Sequence, residues 1–224
     1  MNDDWQSSLQ AHGELQYNVA LSQHSTLGVG GDARFYFKPK SIEGLQQALP
    51  IIPKCINILA LGRGSNLLVS DDGFDGLALD LGCLQSLQMH SHTLQAEAGC
   101  RMAKIAQKAA TMGYTGLEFM ATVPGDLGGG VAMNAGAFGQ QVSDRLQHID
   151  ILHRDGDLTT LPREQLPMHY RYTALPQGSV VVSASFVLQK DDVDAVRMRM
   201  REMRQQRSQT QPLALPNCGS VFKN

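Results

Sequence analysis

Two glycines, a cation and two polar side chains interrupt an apolar run at Gly62, Arg63, Gly64, Ser65 and Asn66. Glycines let several backbone N–H groups converge without a Cβ in the way, and such a concavity binds anions. Ser65 adds a hydroxyl donor, and the Asn66 amide can fix the turn. The pattern predicts a site for a pyrophosphate, and a plain turn between two strands is the alternative.

A second segment, residues 123–139, reads VPGDLGGGVAMNAGAFG and carries three consecutive glycines. The spacing of its apolar residues nevertheless predicts a short helix that begins near Leu127. Each glycine inside a helix costs about 1 kcal/mol relative to alanine, so the sequence must need the absent side chains. We expect a phosphate or a flat ring to approach N–H donors here. Tight packing of the helix on a sheet is the alternative.

The bulk composition argues against several classes of protein. Of the 224 residues 42% are hydrophobic, the net charge is −2 and the pI is about 6.4. We therefore expect no nucleic-acid partner, no membrane insertion and no obligate protein partner. The polar N-terminus predicts no signal peptide. The scattered cysteines and histidines predict reduced thiols, a cytoplasmic location and no metal site.

Apolar periodicity and capping residues predict the elements that would position the two glycine-rich segments. The predicted strands and the predicted hairpin, which should turn tightly at Asp155 and Gly156, cover residues 35–38, 56–61, 76–82, 93–99, 148–161 and 179–188. The predicted helices cover residues 42–49 after a Ser41 cap, residues 101–113 and residues 192–209. The apolar residues 67–69 predict that the interrupted strand resumes.

This order of elements predicts an α+β fold with mixed sheets. The regular strand–helix alternation of a doubly wound fold is absent, and so is a G-x-G-x-x-G fingerprint after a first strand. The arginines of the last helix, from Arg197 to Arg207, indicate a solvated face because no aromatic residues interleave with them.

Five motifs, occurring in order, now make the sequence recognisable. STLGVGGDARF, LGRGSNLLVSDDGFDG, VPGDLGGGVAMNAGAFG, HYRYT and NCGSVFKN closely resemble the UDP-N-acetylenolpyruvoylglucosamine reductase family, also called UDP-N-acetylmuramate dehydrogenases. The resemblance covers nearly all of the chain from about Gln23 onward. It implies an α+β FAD-binding fold of the vanillyl-alcohol-oxidase type, with two α+β subdomains and FAD between them. It also implies NADPH as the reductant and UDP-N-acetylglucosamine enolpyruvate as the substrate.

The resemblance implies a role for particular residues. Arg171 matches the arginine that stabilises the enolate, and Ser220 matches the serine that protonates the substrate. Tyr170 and Asn224 match substrate-contacting positions. The positions matching FAD contacts are Gly62, Arg63, Gly64, Ser65, Asn66, Pro124, Gly125, Gly129, Asn134, Gly136 and Ala137.

The resemblance also predicts the domain organisation. We expect one FAD-binding subdomain over residues 1–80, a second over residues 81–216, and the start of a substrate-binding domain over residues 217–224. The family's third domain and its catalytic glutamate have no match in these 224 residues. An FAD-binding protein without turnover is therefore the alternative function. Asp126 also differs from the residue that the family more commonly has at this position of the motif.

Overall fold

The computed structural model describes residues 4–219 and contains two main β-sheets with helices packed on them. The strands are β1 (Gly13–Ala20), β2 (Asp32–Pro39), β3 (Asn57–Leu61), β4 (Phe74–Asp80), β5 (Leu87–His90), β6 (Thr93–Glu97), β7 (Tyr114–Thr115), β8 (Gly136–Ala137), β9 (Gln140–Gln141), β10 (Leu146–Leu152), β11 (Leu158–Pro162), β12 (Met168–His169), β13 (Tyr172–Thr173), β14 (Val180–Val187) and β15 (Gln189–Lys190). The helices are α1 (Asp4–Gln10), α2 (Ile42–Ala48), α3 (Met102–Thr111), α4 (Leu127–Ala132) and α5 (Val193–Thr210).

The first sheet has the strand order β1-β2-β4-β3. β1 is antiparallel to β2, whereas β4 is parallel to both β2 and β3, so this sheet is mixed as predicted. α2 begins as expected, because Ser41 Oγ accepts a hydrogen bond from the Gly44 N–H (3.1 Å). The helix carries the chain across the sheet and brings the end of β3 to one edge, where the first glycine-rich loop begins.

The second sheet has the order β11-β10-β14-β6-β5, and all of its strand pairs are antiparallel. The prediction of mixed sheets is therefore wrong for this half of the molecule. β14 is buried on both faces because it lies between two cores. Val181 and Phe186 pack with α3 and α5, whereas Val180 and Val182 pack toward the first sheet.

Two local predictions differ from the structure, and one strand has no counterpart among the predictions. Residues 67–70 form an extended loop and not a strand, and Leu68 is 71% exposed there. β1 was not predicted, although Leu15, Tyr17 and Val19 alternate along it. The predicted hairpin forms, but its loop spans residues 153–157, because Leu152 pairs with Leu158. Only the Gly156 position in that loop has a positive φ (+90°).

Apolar and polar contacts join the two sheets. Leu77 and Leu79 of β4 share a buried cluster with Val180 and Val182 of β14. The Arg154 side chain, from the β10–β11 loop, donates to three carbonyl oxygens in the segment between α2 and β3. The cleft described below therefore lies between two sheets that pack directly on one another.

Candidate functional site

The first glycine-rich loop, residues 62–66, follows directly on β3 and is pressed against the segment after β1. Gly64 is buried with φ +61°, and a Cβ at this position would lie 2.2 Å from the His24 carbonyl oxygen. The Thr26 N–H donates to the Gly64 carbonyl oxygen (3.2 Å). Only glycine fits this combination of positive φ and close backbone approach.

The second loop meets the first one side by side. Gly125 has φ +103°, and a Cβ there would lie 2.5 Å from Ser65 Oγ. A Cβ on Gly62 would lie 3.0 Å from Asp126 Oδ2. The structure thus brings the two predicted segments together, as a shared anion site requires. That a diphosphate lies on them stays a prediction.

The three consecutive glycines of α4 face different surroundings. A Cβ on Gly128 would lie 3.0 Å from Ala98 Cβ, and one on Gly130 would lie 2.7 Å from the buried Met102 Sδ. These two glycines are therefore explained by helix packing. Gly129 is exposed, and a Cβ there would meet nothing within 4 Å. Packing leaves Gly129 unexplained, and a ligand that approaches its backbone stays the prediction for it.

A cleft of about 380 Å³ opens beside the contact between the two loops. This volume falls in the range of about 300–1,000 Å³ that small-molecule sites have. The polar residues that line the cleft include His24, Tyr36, Arg63, Asp80, Arg101 and Asp126. Four of these carry formal charge, two positive and two negative.

Sequence reasoning missed most of this polar lining. The Tyr36 hydroxyl donates to Asp80 Oδ2 (2.7 Å) and lies 3.2 Å from His24 Nδ1. Burial, together with the bond to Asp80, raises the pKa of Tyr36 far above its usual value, so the phenol stays protonated. Arg101 lies in the cleft because its backbone forms an isolated antiparallel β-bridge with the backbone of Asp126. These residues come from distant parts of the chain, so no sequence motif unites them.

Asp126 is 7% exposed and is the most perturbed carboxylate in the cleft. Burial raises its pKa to about 6, and the neighbouring charges of Arg63 and Arg101 offset part of that effect. The nearby backbone of Arg63 also favours the charged form and so lowers the pKa of Asp126 in part.

Arg171 lies at the tip of the β12–β13 hairpin, where φ is +56°. Its Nη2 donates to the Gly136 carbonyl oxygen in β8 (2.9 Å), and its guanidinium lies 4.8 Å from the centre of the Tyr170 ring. Tyr170 is 46% exposed. An arginine with positive φ is strained by about 1–2 kcal/mol. Such strain is common at functional sites, where the surrounding structure must hold it.

Asn134 connects this hairpin to the second glycine-rich segment. Its Nδ2 donates to the His169 carbonyl oxygen (3.0 Å) and to Gln141 Oε1 (3.1 Å), and its Oδ1 accepts from the Ser143 N–H (3.0 Å). The fully buried side chain is thus occupied within the protein, and it positions the hairpin. The predicted contact of Asn134 with the cofactor would therefore have to come from its backbone.

Of the remaining predicted site residues, two lie among the described residues and two do not. Pro124 is exposed beside Gly125, and Ala137 lies next to Gly136 in β8. Gly219 lies on the first loop, since a Cβ there would be 3.7 Å from Asn66 Oδ1. Ser220 and Asn224 lie outside the described residues.

These features fit FAD. The two loops offer a glycine-lined backbone surface, Gly129 leaves room for a close approach, and Arg63 and Arg101 supply positive charge for a diphosphate. Residues 62–66, Pro124, Gly125 and Gly129 would hold the group.

Comparisons with known proteins agree with this geometry. A family model described as an FAD binding domain matches residues 33–162. The UDP-N-acetylenolpyruvoylglucosamine reductase of Magnetococcus marinus is 38% identical over 213 residues, which are 92% of this chain and 68% of that protein. The enzyme of the same name from Acidiphilium cryptum is 35% identical, covering 99% of this chain and 72% of its own length.

Solved structures show the same relationship. The crystal structure of the UDP-N-acetylenolpyruvylglucosamine reductase from Thermus caldophilus matches with a TM-score of 0.81 and 30% identity, covering 95% of this chain and 74% of that one. Phl p 4.0202, a glucose dehydrogenase, matches with a TM-score of 0.64 at 10% identity, covering 85% of this chain and 44% of that one, and so shares the fold alone. This chain belongs to the UDP-N-acetylenolpyruvoylglucosamine reductase family.

Proposed function

We propose that this protein is the FAD-dependent oxidoreductase that reduces UDP-N-acetylglucosamine enolpyruvate to UDP-N-acetylmuramate with NADPH. The observation that carries the proposal is the contact between the two glycine-rich loops. Gly125 lies against Ser65, and Gly129 in α4 has open space where a side chain would be. Membership of the reductase family selects this reaction among those that the flavin fold supports.

Bound FAD would supply the redox chemistry, accepting hydride from NADPH and returning it to the enolpyruvyl double bond. The protein's own residues bind and orient the reactants. Backbone N–H groups of residues 62–66 and of the start of α4 would hold the diphosphate. Arg63 and Arg101 would balance its charge.

Arg171 is the proposed electrostatic catalyst. Its guanidinium is a fixed, planar cation, suited to the carboxylate of the enolpyruvyl group and to the negative charge that develops next to it. The strained backbone and the bond to the Gly136 carbonyl oxygen hold it at the hairpin tip. Tyr170, stacked against it, is the proposed substrate contact.

We propose that Ser220 donates the proton to the substrate carbon and that Asn224 contacts the UDP portion. The segment just before Ser220 lies against the segment after β1, because Thr26 Oγ1 donates to the Asn217 carbonyl oxygen (2.5 Å). It also lies near the first loop, because a Cβ on Gly219 would be 3.7 Å from Asn66 Oδ1. A serine is a weak acid, so the role requires a strongly basic carbanion-like partner within hydrogen-bond reach.

The product is a peptidoglycan precursor, so the proposed process is cell-wall synthesis, with consequences for cell shape and division. A cytoplasmic location accords with the use of NADPH. Within residues 4–219, no helix is both long and apolar enough to cross a membrane.

The experiment separates the two half-reactions under anaerobic conditions. NADPH should bleach the flavin absorbance of the FAD-loaded protein, and the substrate should then restore it. Ser220→Ala should keep the bleaching and lose the recovery. Bleaching without recovery in the unaltered protein would contradict turnover and favour an FAD-binding protein without it. A protein that takes up no FAD would overturn the proposal entirely.

A further inference from the structure

Asp126 lies at the contact between the two glycine-rich segments, where the FAD diphosphate is proposed to bind. It is the residue preceding α4, where aspartate usually accepts hydrogen bonds from the first backbone N–H groups of the helix. Here its side chain makes no such cap. It lies under Gly62 instead, with Oδ2 3.0 Å from where a Gly62 Cβ would be.

The buried Asp126 carboxylate lines the same cleft as the cations that the diphosphate would need, Arg63 and Arg101. The Asp126 backbone forms an isolated β-bridge with Arg101, and Asp126 Oδ2 lies beside the first loop at Gly62. The charges of Arg63 and Arg101 act on the carboxylate as well. The Asp126 carboxylate therefore places negative charge in the cleft where a bound diphosphate would bring its own.

The charges in the cleft are already balanced within the protein. Arg63 on the first loop and Arg101 before α3 face Asp126 on the second loop and Asp80 at the end of β4. The other titratable groups that face Asp126 are His24 after β1, Tyr36 on β2 and Cys100 beside Arg101. A diphosphate would therefore enter a site that has no net positive charge while both aspartates are ionised.

We propose that Asp126 is an internal anion that competes with the FAD diphosphate, so that FAD binds together with one proton taken up by Asp126. The inference rests on the proposed FAD site. It adds a residue that sets cofactor affinity and makes that affinity depend on pH.

The sign of the dependence follows from the competition. A bound diphosphate disfavours the ionised carboxylate, so it raises the pKa of Asp126 above its value of about 6 in the free protein. FAD then binds most tightly below that value. Affinity falls by up to roughly tenfold per pH unit as the pH rises, and levels off above the pKa of the bound state.

The test is a titration of the cofactor-free protein with FAD, followed by flavin fluorescence, at several values between about pH 5.5 and pH 8.5. We expect the dissociation constant to rise with pH in the unaltered protein. In Asp126→Asn, which is isosteric and neutral, FAD should bind at least about tenfold more tightly at pH 8, with a flat profile. Asp75→Asn is the matched control, since that carboxylate is 84% exposed on β4 and outside the cleft.

Calorimetry in buffers of different ionisation enthalpy gives an independent readout. The unaltered protein should take up close to one proton per FAD near pH 7.5, and Asp126→Asn should take up none. Tight binding that does not vary with pH would overturn the inference and leave the FAD site intact. A pH dependence that persists in Asp126→Asn would show that another group causes it and would equally overturn the inference. Absence of FAD binding in all variants would overturn both.

Discussion

At the scale of a single residue, Gly129 differs from the glycines on either side because helix packing does not require a glycine there. Its neighbours Gly128 and Gly130 would collide with Ala98 and Met102 if they carried a Cβ, whereas Gly129 would not. The sequence shows three equal glycines and cannot tell them apart. The difference arises from which side of α4 rests on α3 and β6, and only the assembled structure determines that.

Gly129→Ala should therefore keep the fold and weaken the cofactor. Replacing glycine by alanine in a helix stabilises it by up to about 1 kcal/mol, so urea unfolding should shift slightly toward higher stability. The FAD dissociation constant should rise at least about tenfold, since the methyl group fills the space where the ligand approaches.

Gly130→Ala is the contrasting control. Its Cβ would lie 2.7 Å from Met102 Sδ, and Met102 is fully buried. We expect a loss of about 1–3 kcal/mol from overpacking. If Gly129→Ala binds FAD as well as the unaltered protein, the cofactor does not approach α4 at this residue.

Arg171→Asn should separate catalysis from stability. Asparagine tolerates positive φ, so the relief of strain offsets the lost bond to the Gly136 carbonyl oxygen, and the free energy of unfolding should change by less than about 1 kcal/mol. The rate of flavin reoxidation by substrate should fall by about 100-fold to 1,000-fold, as for other lost electrostatic groups. FAD affinity and reduction by NADPH should stay unchanged. An equal loss in both half-reactions would contradict the proposed role.

At the scale of elements, Arg199 joins α5 to a buried carboxylate in the segment between β7 and α4, and it also pairs with Asp191 just before the helix. Arg199 Nε and Nη2 donate to Glu118 Oε1 (3.0 and 2.9 Å), and Glu118 is only 3% exposed. Burial alone would raise the pKa of Glu118. Hydrogen bonds from Thr115, from the Gly116 N–H and from Arg199 outweigh burial and lower the pKa below its ordinary 4.5.

Arg199→Met should destabilise the protein by about 1–3 kcal/mol at neutral pH, because it leaves a buried carboxylate short of a partner. Since the folded pKa is lowered, the Glu118 contribution is fully present above pH 4.5 and is lost as the pH falls through the folded value. Urea unfolding at pH 7 and pH 3.5 should show a smaller difference between the variants at the lower pH.

Arg197→Met on the same helix is the control for that measurement. Arg197 lies 4.0 Å from Asp194, whose side chain is 91% exposed, so its loss should cost less than about 1 kcal/mol. Equal effects of the two substitutions would show that Glu118 does not anchor α5.

The elements show how far the sequence reaches. The long strand β14, the helix α3 and the cap at Ser41 are predicted well because each has a strong local signal. The sequence of residues 67–70 resembles a strand. Leu68 is exposed and Val69 is buried, however, and the segment pairs with no strand of the described sheets. Partner strands decide such cases, and local periodicity cannot supply them.

The residues of the candidate site likewise divide into those that the sequence reveals and those that only the structure reveals. Glycine-rich loops are visible in the sequence because their composition is unusual. The lining residues Tyr36, Asp80, Arg101 and Asp126 are ordinary in type and far apart in the chain, so only the packing of the two sheets brings them together. The buried side chain of Asn134 donates to the hairpin that carries Arg171, and its cofactor contact stays a prediction.

At the scale of the whole molecule, the apolar cluster that the two sheets share should make them unfold as one unit. Leu77, Leu79 and Val182 are fully buried in it. Trp5 is the single tryptophan and packs edge-on against Phe35 of the first sheet (5.2 Å). Trp5 fluorescence therefore reports on the first sheet, whereas circular dichroism reports on both. The division into subdomains at residue 80 stays a prediction.

Arg154→Met tests the polar part of that junction. The substitution removes the donor to the carbonyl oxygens of Ile52, Pro53 and Ile56 and should cost about 1.5–3 kcal/mol. The fluorescence and dichroism transitions should still coincide, because the apolar cluster continues to couple the sheets. Arg34→Met, which breaks an exposed pair with Asp75, should cost less than about 1 kcal/mol. Two separate transitions in the unaltered protein would contradict the single unit.

The most direct measurement is a crystal structure of the protein with FAD bound. The account predicts the diphosphate between residues 62–66 and the start of α4, in contact with the backbone at Ser65 and Gly129. It also predicts the flavin ring on the side of α4 that leads to Arg171. A diphosphate located away from both glycine-rich loops, with the contact between Ser65 and Gly125 left untouched, would contradict it.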